Sequence, residues 1–188
     1  MNGLPTLQTA RLILRPFELA DAPRVQLLAG AWEVADTTAT MPHPYPDGVA
    51  EQWIAGHLEG FEKGNNLPLA VCLKDGTLIG TVSLMSFRTN HSRGELGYWI
   101  GKHYWGQGYC TEAVRELVRF GFEQLGLHRI FGQHMSRNVA SGRLMQKIGL
   151  KHEGCLRQHL LRWDTFNDLE CWGLLRSEWA TLDTEANR

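Results

Sequence analysis

Residues 111–126, TEAVRELVRFGFEQLG, repeat their apolar side chains at a helical period. Ala113, Val114, Leu117, Val118, Gly121, Phe122 and Leu125 share one face, and Glu112, Arg115, Glu116, Arg119 and Glu123 share the other. Gly126 is placed to stop this helix. The segments on either side, GELGYWIG (94–101) and RIFGQHM (129–135), read as strands, the first rich in aromatic and branched residues. Strand, helix and strand in that order make a crossover unit, which constrains the fold more than any other part of the chain.

Upstream the pattern is different. RLILRPF (11–17) reads as a short strand ended by Pro16, and Asp21 is placed to cap a helix running to about Ala29. MPHPYPDG (41–48) holds three prolines and a glycine and predicts a loop. Val49, Trp53, Ile54 and Leu58 recur at helical spacing after it. PLAVCL (68–73) and TLIGTVSLMSF (77–87) flank Lys74-Asp75-Gly76, where Asp-Gly predicts a tight primed turn and hence a hairpin. Downstream, 138–149 is a short helix with Asn138 as N-cap and Gly149 as stop. Segments 150–161 and 169–179 are strands around a turn at Asp164–Asp168. The prediction is a mixed α/β fold of about seven strands and about four helices, in one domain over 1–188 with the last eight or so residues frayed.

The chain is long enough to bury a core without covalent staples. Its net charge of −1 does not call for nucleic acid as a partner. Cys72, Cys110, Cys155 and Cys171 form no CxxC and match no zinc spacing, so they read as free thiols of a reducing compartment. The eight histidines do not cluster at metal-ligand spacing, and no metal is expected. The first residues lack the basic start and apolar core of a signal peptide, and no apolar run approaches membrane-spanning length. A cytoplasmic protein with no membrane partner is the expectation.

WGQGYCTEA (105–113) joins the strand to the long helix. The first turn of a helix offers unpaired N–H groups and a partial positive charge, and glycine lets a phosphate approach the backbone. Gly106 and Gly108 therefore suit a pyrophosphate cradle, with Thr111 adding a hydroxyl. They equally suit a tight strand-to-helix turn. No lysine follows as a nucleoside-triphosphate loop requires, and Thr111 stands where the dinucleotide fingerprint needs its third glycine.

The wider context is similar to the GCN5-related N-acetyltransferases (GNAT), and resembles most their ribosomal-protein-acetylating RimJ/RimL-like branch. The resemblance rests on GYWIGKHYWGQGYCTEAV and RIFGQHMSRNVASGRLMQKIGLKHEGCLR, with TARLILRPF and NDLECWGLLRSEW supporting it at the two ends. The family's Q/R-x-x-G-x-G/A loop maps onto Trp105, Gly106, Gln107, Gly108, Tyr109 and Cys110, with departures at Trp105 and Cys110. The resemblance implies a mostly antiparallel twisted sheet splayed at the cofactor site. It implies acetyl-coenzyme A as cosubstrate, an amine as acceptor and a possible homodimer.

By the same resemblance, N–H groups of Gln107, Gly108, Tyr109, Cys110 and Thr111 hold the pyrophosphate, and the pantetheine arm pairs with the strand edge at Trp99 and Ile100. The Ile100 N–H would polarise the thioester carbonyl. Glu95 opens the strand and can take the amine proton through a water, attract the ammonium, or simply pair with Arg93. His134 is a rival base. Ser141 shares a helix face with Leu144, Met145 and Ile148, and is the candidate donor to the leaving thiolate, or else bonds the N-cap backbone. Asn138 is both cap and cofactor contact. Cys110 reads as a packing residue, which favours direct transfer over a covalent acetyl-enzyme. The first-choice acceptor is a protein N-terminal α-amine. A small-molecule amine (polyamine, amino sugar or drug) is the second reading, and a non-catalytic coenzyme A-binding regulator the third. The helices before residue 65, the last hairpin and MPHPYP would wall the acceptor side, with Trp32, Tyr45 and Trp53 nearby.

Overall fold

A computed structural model describes residues 3–87 and 90–186, with side chains through Thr181. In chain order its elements are β1 (Leu7–Gln8), β2 (Leu12–Arg15), α1 (Ala22–Ala29), α2 (Trp32–Asp36), α3 (Val49–Ala55), α4 (His57–Glu62), β3 (Asn66–Leu73), β4 (Leu78–Met85), β5 (Arg93–Ile100), α5 (Tyr109–Glu123), β6 (Arg129–Met135), α6 (Val139–Lys147), β7 (Lys151–Arg162), β8 (Thr165–Leu175) and α7 (Arg176–Ala186). The strands form one eight-stranded sheet in the order β1-β2-β3-β4-β5-β6-β8-β7. Every neighbouring pair is antiparallel except β5 and β6, which the α5 crossover makes parallel. This is the predicted mixed α/β class, with counts that differ slightly. The added strand is the two-residue β1, and Gly56 divides the expected helix after residue 49 into α3 and α4.

Four local differences have physical causes. Of Lys74, Asp75 and Gly76, only Gly76 has positive φ (+90°). Leu73 bonds both Gly76 and Thr77, so the hairpin turns through a three-residue loop closed by a glycine bulge, not a primed pair. Asp21 stands at the N-terminus of α1, but its carboxylate takes two guanidinium bonds from Arg15, at 2.7 and 2.8 Å, and caps nothing in α1. A bidentate charged pair outweighs a single neutral cap bond. The last hairpin turns at Trp163 and Asp164, both at positive φ (+50° and +56°), a tighter and earlier turn than Asp164–Asp168. Finally, β8 ends at Leu175 and helix α7 begins at Arg176, where a strand was expected to 179. Of the terminal residues expected to fray, 187–188 lie outside the described residues.

The sheet is covered on both faces. On one, the stripe of α5 packs with Leu84, Leu96, Ile100, Ile130 and Met145. On the other, α1, α2 and α3 bury Val25, Leu28, Val34 and Ile54 against Ala70, Cys72 and Trp99. Val114, Leu117 and Val118 have no exposed area, and each such burial contributes roughly 1.5–3 kcal/mol. The Arg119–Glu116 and Arg119–Glu123 pairs on the outer face of α5, one half-buried and one exposed, contribute at most about 1 kcal/mol each. Packing therefore seats α5, and with it the turn at its head. No helix among the described residues is long and apolar enough to cross a membrane.

His57 is buried at the start of α4, with ring centroids 4.3 Å from Trp53 and 5.3 Å from Phe17. Among the described residues neither ring nitrogen has a hydrogen-bond partner, and burial pushes the imidazole down to about 4. An unfolded histidine titrates near 6.5, so below that pH the unfolded chain holds a proton that the folded chain refuses. Folding stability should be full above pH 6.5 and fall as the pH drops toward 4. Denaturant unfolding at pH 7.5 and 5.0 should differ by about 2 kcal/mol from this group, and His57→Phe should remove that difference. An equal pH dependence in the variant would contradict the assignment.

Candidate active site

The parallel contact between β5 and β6 covers three residue pairs, Arg93–Arg129, Gly94–Ile130 and Glu95–Phe131. Beyond them β5 continues along β4 and β6 continues along β8, so the two strands separate. Met145 of α6 packs on Gly132 in this region; a Cβ there would lie 2.8 Å from the methionine methyl carbon.

Backbone direction decides what the split displays. The Gly97 carbonyl accepts from Ser83 on β4, and the Gly101 N–H donates to Ile79, at 3.3 and 2.8 Å. By antiparallel alternation the peptide groups of Gly97 and Trp99 face β4, and those of Tyr98 and Ile100 face the split. The expected edge at Trp99 and Ile100 is thus corrected to Tyr98 and Ile100, because Trp99 spends its backbone groups on Thr81. The Ile100 carbonyl is also taken, accepting from the Trp105 indole at 2.6 Å. Its N–H still faces the split.

After a short 3-10 turn at Lys102–Tyr104 the chain reaches the two glycines. Gly106 and Gly108 lie at φ +74° and +80°, a region that favours glycine. Gly108 is the N-cap of α5, which starts two residues earlier than predicted. The first bond of the helix runs from Glu112 N–H to the Gly108 carbonyl. The N–H groups of Tyr109, Cys110 and Thr111 therefore have no helical acceptor. Among the described residues nothing lies within 4 Å of where a Gly106 side chain would start. Unpaired N–H groups at a helix head, with open space over a glycine, fit a pyrophosphate.

Arg11, which sequence reasoning did not single out, holds this turn from the N-terminal hairpin. Its Nη1 donates to the Gln107 carbonyl at 3.0 Å, its Nε to Glu112 at 2.6 Å, and its guanidinium lies 4.6 Å from the Tyr109 ring centre. Glu112 also accepts from the Thr9 hydroxyl and the Arg11 N–H. Burial works against the Glu112 carboxylate, but these bonds hold it below its usual range. The Gln107 amide turns back to His103. The Cys110 thiol packs into the core, where burial pushes it up to about 12. It is no thiolate nucleophile near neutral pH.

Helix α6 delivers Asn138 and Ser141. Asn138 caps it as predicted, its Oδ1 accepting from Ser141 N–H at 3.2 Å, while its Nδ2 donates to the Thr37 carbonyl after α2. Beside it Arg137 forks onto Asp36 at 2.6 and 2.9 Å and reaches Asn167 on β8. The helix head is thereby tied to both walls. Ser141 is 8% exposed, and its hydroxyl bonds the Tyr98 phenol at 2.6 Å, not the cap backbone. Burial pushes that phenol above its ordinary range. Tyr98 was missed, although a period of two places it with Leu96 and Ile100 on the face where α5 packs.

Glu95 lies in β5 as expected, third from its start at Arg93 and on the opposite face from Tyr98. Burial pushes its carboxyl up, and the nearby Arg93 charge pulls it back. His134 has both ring nitrogens engaged. Nδ1 lies 2.8 Å from the Met135 carbonyl, and Nε2 accepts from the Trp172 indole at 3.1 Å. That network puts its proton on Nδ1 and leaves neither nitrogen for a substrate.

On the acceptor side, Trp32 meets His43 and Trp163 at centroid distances of 5.1 and 5.0 Å. The Arg162 guanidinium lies 3.8 Å from the Trp163 ring centre and donates to the carbonyls of Ala35 and Met41. The hairpin tip is thus fastened to α2 and the proline-rich loop. Trp53 and Tyr45, expected near this wall, pack against the buried cluster beneath α1 and α3. Among the described residues no three His, Cys, Asp or Glu side chains are grouped to hold a metal.

Residues 11–151 match the acetyltransferase (GNAT) domain. The chain is 30% identical to an uncharacterized N-acetyltransferase, p20, of Bacillus licheniformis, over 94% of this chain and 99% of the relative. It is 29% identical to YdaF, a putative ribosomal N-acetyltransferase of Bacillus subtilis, over 89% and 93% of the two chains. The solved structure of a putative ribosomal-protein-serine acetyltransferase from Vibrio cholerae superposes with a TM-score of 0.79 at 26% identity, covering 93% of this chain and 99% of that one.

Proposed function

From the premise that this chain belongs to the GNAT acetyltransferase family and is an acetyl-CoA-dependent N-acetyltransferase, we propose that it transfers acetyl directly to the α-amine of a protein N-terminus. The observation that carries the direct-transfer reading is the split. It brings an unpaired strand edge, an open helix head and the Ser141 hydroxyl together on the two sides of one gap.

In this reading the N–H groups of Gln107 to Thr111 hold the pyrophosphate of the cosubstrate, and the pantetheine arm lies along the peptide groups of Tyr98 and Ile100 as an added strand would. The Ile100 N–H polarises the thioester carbonyl. The amine nitrogen uses its lone pair to bond the carbonyl carbon, the carbon–sulfur bond breaks, and its electron pair stays on sulfur. The extra proton on nitrogen passes through water to Glu95 and on to solvent. A partly buried carboxylate with a raised pKa is a better base than an exposed one. A thiol titrates near 8.5, far below an aliphatic hydroxyl, so Ser141 donates a hydrogen bond to the departing thiolate and keeps its proton. Solvent then protonates the sulfur. The high pKa of Cys110 argues against an acetyl-cysteine intermediate.

Two observations favour a protein terminus. The relatives reported above include one described as a putative ribosomal N-acetyltransferase and one as a putative ribosomal-protein-serine acetyltransferase. The acceptor wall also presents partly exposed aromatic rings, Trp32 and Trp163, along which an extended chain end can lie.

An acceptor panel read by thiol release tests the reading. Peptides with free N-termini should turn over, and the same peptides blocked at the N-terminus should not. Turnover confined to polyamines or aminoglycosides would overturn the choice of acceptor. With the best acceptor, Glu95→Gln should slow the reaction chiefly at lower pH, where the amine is hardest to deprotonate. A pH–rate profile parallel to that of the wild type would remove Glu95 as the base.

A further inference from the structure

Tyr98 and Ser141 are joined at 2.6 Å across the split, one from β5 and the other from the first turn of α6. Each hydroxyl carries one proton, and only one of them can lie between the two oxygens. The choice of donor decides where the other proton points.

We propose that Tyr98 is a positioning residue: its phenol donates to Ser141 Oγ, so that the serine proton is turned into the split toward the departing sulfur. The inference rests on the reading of Ser141 as the donor to that sulfur.

The chemistry and surroundings of the two hydroxyls carry it. The phenol is the more acidic of the two hydroxyls and the better donor. Were the serine to donate instead, the phenol proton would be left unpaired in a largely buried position, at a cost of roughly 1–3 kcal/mol. Among the described residues the phenol's hydrogen-bond partner is Ser141. Burial also keeps the phenol protonated through the range in which an amine acceptor reacts, so the direction of the bond does not change with pH. The serine is meanwhile fixed from behind, because its N–H is held by the Asn138 side chain. With its oxygen held by the phenol, the serine proton takes a direction away from Tyr98. Preorganised donors of this kind act where charge develops and cost no reorganisation during the reaction.

Tyr98→Phe removes the hydroxyl and keeps the ring, so its packing against the core is retained. The expected result is a fall in kcat of about tenfold, with the KM for acetyl-CoA within twofold of the wild type and Tm little changed. Ser141→Ala should fall at least as far, and the double variant no further than Ser141→Ala alone, because the phenol acts only through the serine. Wild-type kcat in Tyr98→Phe, with Ser141→Ala slow, would overturn this inference and leave the role of Ser141 standing. A double variant slowed by the product of the two single effects would overturn it as well. Wild-type kcat in Ser141→Ala would overturn the underlying reading itself. A loss in Tyr98→Phe that appears in KM and Tm, and not in kcat, would assign the phenol a purely structural role.

Discussion

The brevity of the β5–β6 contact governs the site. Three residue pairs hold the two strands together, and after Glu95 and Phe131 each follows its other neighbour. A parallel pair requires a crossover, and here the crossover is α5. The helix that makes the contact parallel therefore begins beside the place where the contact fails. The glycine turn, the unpaired edge of β5 and the open head of α5 are three consequences of one topological fact. Sheet edges normally expose a liability that proteins cover or blunt. An internal edge, bounded by α5 and α6 on one face, is instead a protected place to receive an extended ligand.

What keeps the gap in one shape is a set of ties from distant parts of the chain. Arg11 and Glu112 fasten the N-terminal hairpin to the glycine turn, and Trp105 pins the turn to the end of β5. Arg137 on Asp36 and Asn138 on Thr37 fasten the head of α6 to α2. Individually these bonds lie at or near the surface and add little to stability. Their weight is geometric, since catalytic groups displaced by about an ångström lose much of their effect. The stability of the fold comes from the two apolar layers, which the ties only orient. Trp105, where the family pattern has a basic or amide residue, follows the same logic. An indole N–H takes the Ile100 carbonyl and leaves the Ile100 N–H facing the gap.

Much of the frame was legible in the sequence because it is written in local rules. The apolar stripe of α5, the limits of β6 at Arg129–Met135 and the Asn138 cap follow from periodicity and capping chemistry within a few residues. Gly106 and Gly108 mark a turn because few other residues accept positive φ. What stayed hidden depends on contacts between remote positions. Glu112 meets Arg11 101 residues away, and Tyr98 meets Ser141 43 residues away. His134 looked like a base until Trp172 and the Met135 carbonyl were seen to occupy its ring. Trp99 looked like an edge residue because the period of a strand reveals which side chains share a face, but not which neighbour takes the peptide groups. The boundary between β8 and α7 was hidden for a simpler reason: LECWGLL runs into RSEW with no glycine or proline between them.

The central claim is that the peptide edge in the split and the head of α5 receive one coenzyme A molecule together. Amide hydrogen exchange with and without saturating coenzyme A tests it most directly. The account predicts new protection at the N–H groups of Tyr98 and Ile100 and at those of Tyr109, Cys110 and Thr111, with Trp99 unchanged because its N–H already faces β4. Unaltered exchange at Tyr98 and Ile100 under saturating ligand, or protection at Trp99 in their place, would contradict it.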